Sequence, residues 1–202
     1  MSEKDSYLTL SGDAISEIKV QKSKFIAQAF PINSQLKFQE NLDNVKKAYY
    51  DAAHHPFAYR LGLADDNFRY SDDGEPAGSA GKPVLDVIDK FSLTDTGVVV
   101  TRYFGGVKLG VGGLRRAFFD AAEECLMTAK VKEVFVVEEF SIESEYNRMN
   151  IIMKILEQSG ANIISNDSDE KVRLKYNVRK SLAEDVKNEL INSTAGNIII
   201  QQ

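Results

Sequence analysis

Apolar residues recur at Phe38, Leu42, Val45, Tyr49 and Ala52, a spacing that puts all five on one face of a helix. The pattern predicts a helix over Ser34–Ala53, with Ser34 suited to cap its N-terminus. It should stop before His54-His55-Pro56, because the residue ahead of a proline avoids the α region. Upstream, residues 7–30 hold two or three short strands, and Lys22-Ser23-Lys24 reads as a polar turn within them. Downstream, Phe57–Leu63 alternates strictly and predicts a strand, with Phe68–Ser71 able to pair back as a hairpin across the Asp65-Asp66-Asn67 turn. From Ser71 to Pro83, three glycines and two prolines forbid regular structure. Pro83 suits the first turn of a short amphipathic helix carrying Val84, Leu85, Ile88 and Phe91. Gly97–Tyr103 reads as a buried strand. A long apolar helix follows, entered near Gly112-Gly113 and expected to be buried on nearly all sides.

The pattern restarts beyond Ala129–Glu133. Strands are expected at Glu133–Ser141, Ala161–Ser165, Val172–Val178 and Asn197–Gln201. Helices are marked by Tyr146, Met149, Met153 and Leu156, and by Leu182, Val186 and Leu190. The order βαββαβ is a split βαβ arrangement of ferredoxin type. The expected fold class is therefore α+β with two domains, residues 1–131 and 132–202.

Composition narrows the function classes. The chain has 202 residues, a net charge of -5 and one cysteine. No apolar run approaches a membrane span, the N-terminal MSEKDSYLTL has no apolar core of a signal peptide, and an internal disulfide is impossible. A cytoplasmic location is expected. The overall acidity argues against global attraction to nucleic acid but permits a local basic patch. Such a patch stands out between Thr101 and Phe119, where Arg102, Lys108, Arg115 and Arg116 face no acid and five glycines (Gly105, Gly106, Gly110, Gly112, Gly113) interrupt the chain. Free N–H groups at the following helix's N-terminus favour anions. Yet Val111 stands where a phosphate loop needs lysine, and the glycine spacing misses the dinucleotide fingerprint. These glycines either shape an anion or nucleic-acid site or let backbones approach closely. Lys22 and Lys24 are either solvated or delivered to that site.

The segment from Asp65 to Glu75 reverses the sign, with five acids and one base, Arg69. Asp72, Asp73 and Glu75 could collect a divalent cation with His54 or His55. But Asp-Asp-Gly is also ordinary turn chemistry, and adjacent histidines face opposite ways along extended chain. Ion pairing of this loop with the basic loop, giving Lys82 and Arg102 partners, is the better reading. No metal site and no cofactor is assigned. Cys125, among apolar helical positions, reads as an inert core thiol.

Paired His54-His55, the run Ser71-Asp72-Asp73-Gly74-Glu75-Pro76-Ala77-Gly78 with Ala80-Gly81-Lys82-Pro83, and Arg102-Tyr103-Phe104-Gly105-Gly106 with Leu109-Gly110 and Gly112-Gly113-Leu114 together closely resemble the Impact family, including its bacterial YigZ-type members of this length. The resemblance implies an N-terminal domain like the second domain of ribosomal protein S5. It implies a C-terminal domain similar to the ferredoxin-like domains of elongation factor G. The eukaryotic relative restrains a translation kinase by competing for its activator protein, using an additional N-terminal module. Two positions depart from the family pattern: Pro56 replaces a cysteine after the histidines, and Val111 replaces a threonine. The first removes support for Cys/His chemistry and the second weakens a nucleotide-hydrolase reading.

The expectation is a binding or regulatory protein engaging RNA, the ribosome or a translation-associated protein, with no membrane partner and no DNA sequence specificity. Its binding residues would be Arg102, Tyr103, Gly105, Gly106, Lys108, Gly110, Gly112, Gly113, Arg115 and Lys82. Further candidates at the acidic loop and histidines are His54, His55, Arg60, Ser71, Asp72, Asp73 and Glu75. The alternative is an enzyme acting on a phosphorylated small molecule, with Asp72, Asp73 or His55 supplying a base or metal ligand.

Overall fold

The computed structural model describes residues 5–64 and 66–202; Asp65, in the turn expected before Phe68, lies outside them. The fold is mixed α/β and divides into two compact units, Tyr7–Val134 and Phe135–Gln202, the latter including the described residues before Tyr7.

In the N-terminal unit, β2 (Ala14–Val20), β3 (Ser23–Pro31), β6 (Thr96–Tyr103), β4 (Phe57–Arg60) and β5 (Phe68–Ser71) form an antiparallel sheet in the order β2-β3-β6-β4-β5. A separate short pair joins β1 (Ser6–Leu10) to β7 (Val131–Phe135). Helices cover both faces of the larger sheet. Helix α1 (Gln35–Ala48) puts Phe38, Leu42 and Val45 with Phe30, Tyr59 and Val99, while α2 (Gly81–Lys90) and α3 (Gly110–Thr128) pack with Phe25, Ala58, Val98 and Val100. Neighbouring valines of β6 thus point into different cores, which is why that strand reads as an unbroken apolar run.

Several expected boundaries move. Ser34 caps α1 through its Oγ, which accepts from Lys37 N at 3.2 Å, but the helix ends at Ala48 and not Ala53. His54 instead bridges Arg102 in extended conformation, and that pairing claims the chain before Pro56 can end a helix. β4 stops at Arg60 because Gly62 turns the chain at φ +61. Helix α2 begins at Gly81, ahead of Pro83, because the Asp72 carboxylate caps it from outside. Helix α3 begins at Gly110 and is buried on one face only; Arg115, Arg116 and Met127 are exposed.

The expected strand 133–141 is two, β7 and β8 (Val137–Glu145). In the C-terminal unit β8, β9 (Asn162–Asn166), β10 (Lys171–Arg179) and β11 (Ile198–Gln201) form an antiparallel sheet in the order β11-β8-β10-β9. Helices α4 (Met149–Gln158) and α5 (Ala183–Ser193) contribute Ile152, Ile155, Leu156, Val186 and Leu190 to its core. Val172, Leu174, Tyr176 and Val178 of β10 are buried while Lys171, Arg173 and Lys175 between them are exposed, so only one sheet face is covered.

Candidate functional site

The acidic loop is tied down internally, carboxylate by carboxylate. Asp72 Oδ1 accepts from the amides of Ala80 and Gly81 at 2.9 and 2.8 Å, and Oδ2 accepts from Gly78 N at 2.8 Å. One side chain therefore folds the loop back and neutralises the positive end of α2. Asp73 sits in the left-handed region at φ +43. Its backbone N donates to Ser71 Oγ at 3.2 Å, its Oδ2 accepts from His55 N at 2.7 Å, and its Oδ1 lies 3.5 Å from Lys46 Nζ. Its carbonyl accepts from His54 Nδ1 at 2.6 Å, which fixes the Nδ1 proton. The His54 ring fills the space beside Gly74, where a Cβ would come within 2.8 Å of it.

Glu75 and Arg102 form the buried centre of the constellation. Arg102 Nη1 donates to both Glu75 oxygens, at 2.6 and 2.8 Å, with the two residues 8% and 7% exposed. The guanidinium carbon also lies 5.6 Å from the Phe25 ring centroid and 5.5 Å from that of Phe104. The acidic and basic segments are therefore joined through this one pair. Lys82 pairs with Asp86 of its own helix at 2.6 Å and not with the acidic loop. Arg60 binds Asp89 at 2.7 Å, at the α2 side of β4 and apart from the histidines. The Tyr103 hydroxyl donates to Asp51 at 2.7 Å, which with the carboxylate's charge pushes the phenol up to about 12.

His55 is buried, and its Nε2 donates to the Tyr49 carbonyl at 3.2 Å. Burial disfavours its charged form and holds the His55 pKa below the ordinary histidine range. Such a group is neutral in the folded chain where the unfolded chain is already charged, so stability falls as pH drops below about 6.5 towards the folded value. Urea midpoints at pH 7.5 and 5.5 are expected to differ, and His55→Gln is expected to shrink that difference.

The basic loop presents a different surface. Gly105 N donates to Ser23 Oγ at 3.2 Å, and a Cβ on Gly105 would fall 1.9 Å from the Lys22 carbonyl group. Only glycine admits this approach, and it brings the Lys22 turn against the loop. Gly106, Gly110 and Gly112 face open space, whereas Gly113 abuts Leu109. Helix α3 opens on Gly110 with no side chain capping it, and Gly110, Val111 and Gly112 are exposed. Lys108 and Arg115 are exposed without an ion-pair partner among the described residues, and Arg116 has only Asp120 at 3.5 Å. A cleft of about 370 Å³ between α2 and α3 is lined by Pro83, Asp86, Gly112, Arg115, Arg116 and Phe119. Among the described residues no group of three or more His, Cys, Asp or Glu side chains is arranged to hold a metal ion. Cys125 is buried, and burial pushes its thiol up to about 11.

Three residues that matter to this geometry escaped the candidate set. Lys46 and Asp51 come from α1 and the turn after it, and nothing local marks them as partners of Asp73 and Tyr103. Phe104 carried a signal, an aromatic inside a glycine-rich basic run.

Fold and site together define a two-unit α/β protein whose acidic loop is internally satisfied and whose basic loop is open. A model of the Impact N-terminal domain matches residues 21–126. The chain belongs to the Impact family. It is 38% identical over 154 residues to the IMPACT family member YvyE of Bacillus subtilis, covering 76% of this chain and 71% of that protein. It is 31% identical over 159 residues to the IMPACT family member YigZ of Escherichia coli, covering 78% of each. A crystal structure described only as that of a hypothetical protein superposes with a TM-score of 0.74 at 27% identity, covering 98% of this chain and 97% of its own. No helix among the described residues is long and apolar enough to cross a membrane.

Proposed function

We propose that this chain is a cytoplasmic binding protein that engages RNA or a ribosome-associated partner and modulates translation through the loop from Arg102 to Arg115. The observation that carries the reading is the exposed, uncapped first turn of α3 flanked by Lys108 and Arg115, neither of which is spent on an internal ion pair. Unpaired amides and unpaired cations together favour a polyanion. Membership of a family whose eukaryotic relative acts on translation supports the same direction. The domain reading belongs to this proposal: residues 1–131 as an S5 domain 2-like module, and residues 132–202 as a ferredoxin-like one. The order βαββαβ and the strand sequence β11-β8-β10-β9 support the latter.

The rival enzymatic reading has less to work with. Asp72 and Asp73 are engaged in loop hydrogen bonds, and His55 is buried against the Tyr49 carbonyl.

Co-sedimentation with ribosomes at low salt tests the proposal, with lysate pull-downs run with and without nuclease. Lys108→Ala with Arg115→Ala is expected to weaken RNA association and to lower the salt dependence by about 0.7 per cation removed. Association that ignores both changes would overturn the reading.

A further inference from the structure

Phe104 is 58% exposed although its ring lies over a buried guanidinium, 5.5 Å from centroid to Arg102 carbon. That prop is rigid. Arg102 is held at its Nη1 by both oxygens of Glu75 and lies against Phe25, itself fully buried. The ring is thus fixed from beneath and offers solvent an aromatic surface at the entrance of the basic loop. Lys108 follows four residues on, the uncapped first turn of α3 opens at Gly110, and Arg115 is carried on that helix eleven residues beyond Phe104. The nearby acids are spent: Asp86 on Lys82, and Asp120 beside Arg116.

An aromatic platform next to unpaired cations is the arrangement that takes a nucleobase and its neighbouring phosphates at once. We infer that Phe104 stacks a base and that the polyanion this loop accepts is single-stranded RNA; the inference rests on the function proposed above and narrows it. A duplex keeps its bases stacked on one another, so an exposed ring has no base to gain there. The guanidinium beneath the ring adds a cation–π contribution that holds Phe104 in place when the base arrives. Glu75 acts as a positioning residue, since it touches Arg102 and not the RNA.

Fluorescence anisotropy with a labelled oligouridylate of about 12 nucleotides and a duplex of the same length tests this on the full chain at low salt. Phe104→Ala is expected to weaken single-strand binding about fivefold or more, the loss of one stacked base. Phe104→Trp is expected to retain it, and duplex binding is expected to be weaker and indifferent to both. Because Phe104 is exposed, matching thermal melts of parent and variants keep folding out of the comparison. If Phe104→Ala binds like the parent while Lys108→Ala with Arg115→Ala binds less, the platform is overturned and the proposed function stands. If the duplex binds as tightly as the single strand, the assignment to single strands is overturned. If neither RNA binds, the inference falls, and the proposed function stands only if ribosome co-sedimentation or a nuclease-insensitive pull-down shows a protein partner. A nuclease-insensitive protein captured by the parent and lost with Phe104→Ala overturns the inference in favour of a protein partner.

Discussion

Glu75→Ala is expected to lower the free energy of unfolding by about 3–5 kcal/mol, the range for removing one partner of a buried ion pair. The reason is the charge left behind. Arg102 is 8% exposed and its Nε has no hydrogen-bond partner among the described residues, so Nη1 depends on Glu75. Alanine at position 75 leaves a guanidinium in an apolar setting between Phe25 and Phe104 with nothing to accept from Nη1. Urea unfolding of the purified variant checks this. A double variant, Glu75→Met with Arg102→Met, is expected to recover much of the loss, because two apolar side chains avoid the unpaired charge. A single variant indistinguishable from the parent would show that the pair is not desolvated.

Asp72→Ala is expected to cost about 3 kcal/mol. It removes a charged acceptor from three amides at once, those of Gly78, Ala80 and Gly81. Two of these open α2, so the loss combines a helix cap with a loop closure. The effect should show in hydrogen exchange as faster exchange at Ala80 and Gly81 and little change in the C-terminal unit. Asp72→Asn keeps one acceptor oxygen and loses the charge, so an intermediate loss is expected. If it behaved like alanine, the charge and not the hydrogen bonds would carry the effect.

Both predictions concern residues that looked functional in the sequence. Asp72, Asp73 and Glu75 could be read as cation ligands, with ion pairing to the basic loop the better reading; Glu75 does pair with Arg102, whereas Asp72 and Asp73 hold a helix terminus and a loop. Of the three carboxylates, only that of Asp72 finds its partners within the Ser71–Pro83 segment. The partners of Asp72 lie six to nine residues on, within local reach. Those of Asp73 are His55, 18 residues back, and Lys46 of α1, 27 residues back, while that of Glu75 is Arg102 of β6, 27 residues on. Lys82 shows the opposite failure, since its partner was only four residues away at Asp86, at ordinary helical spacing. It was overlooked because the helix was expected to begin near Pro83, whereas it begins two residues earlier, at Gly81.

The hydrophobic pattern by itself determined the order of the elements and the faces of most of them. The alternation of β10, the period of α1 and the double-sided burial of β6 follow from where apolar side chains can be hidden, and that is a property of neighbours in sequence. The long motifs that recur together determined the family, and the order of charged residues determined the sign of the charge near α3. Tertiary structure alone decided which charges remain available. Folding brings Arg102 to Glu75, Asp73 to Lys46 and Tyr103 to Asp51, and leaves Lys108, Arg115 and the surface of Phe104 open beside α3. Charges spent on one another cannot serve a partner, and which ones meet depends on distances that no local spacing encodes.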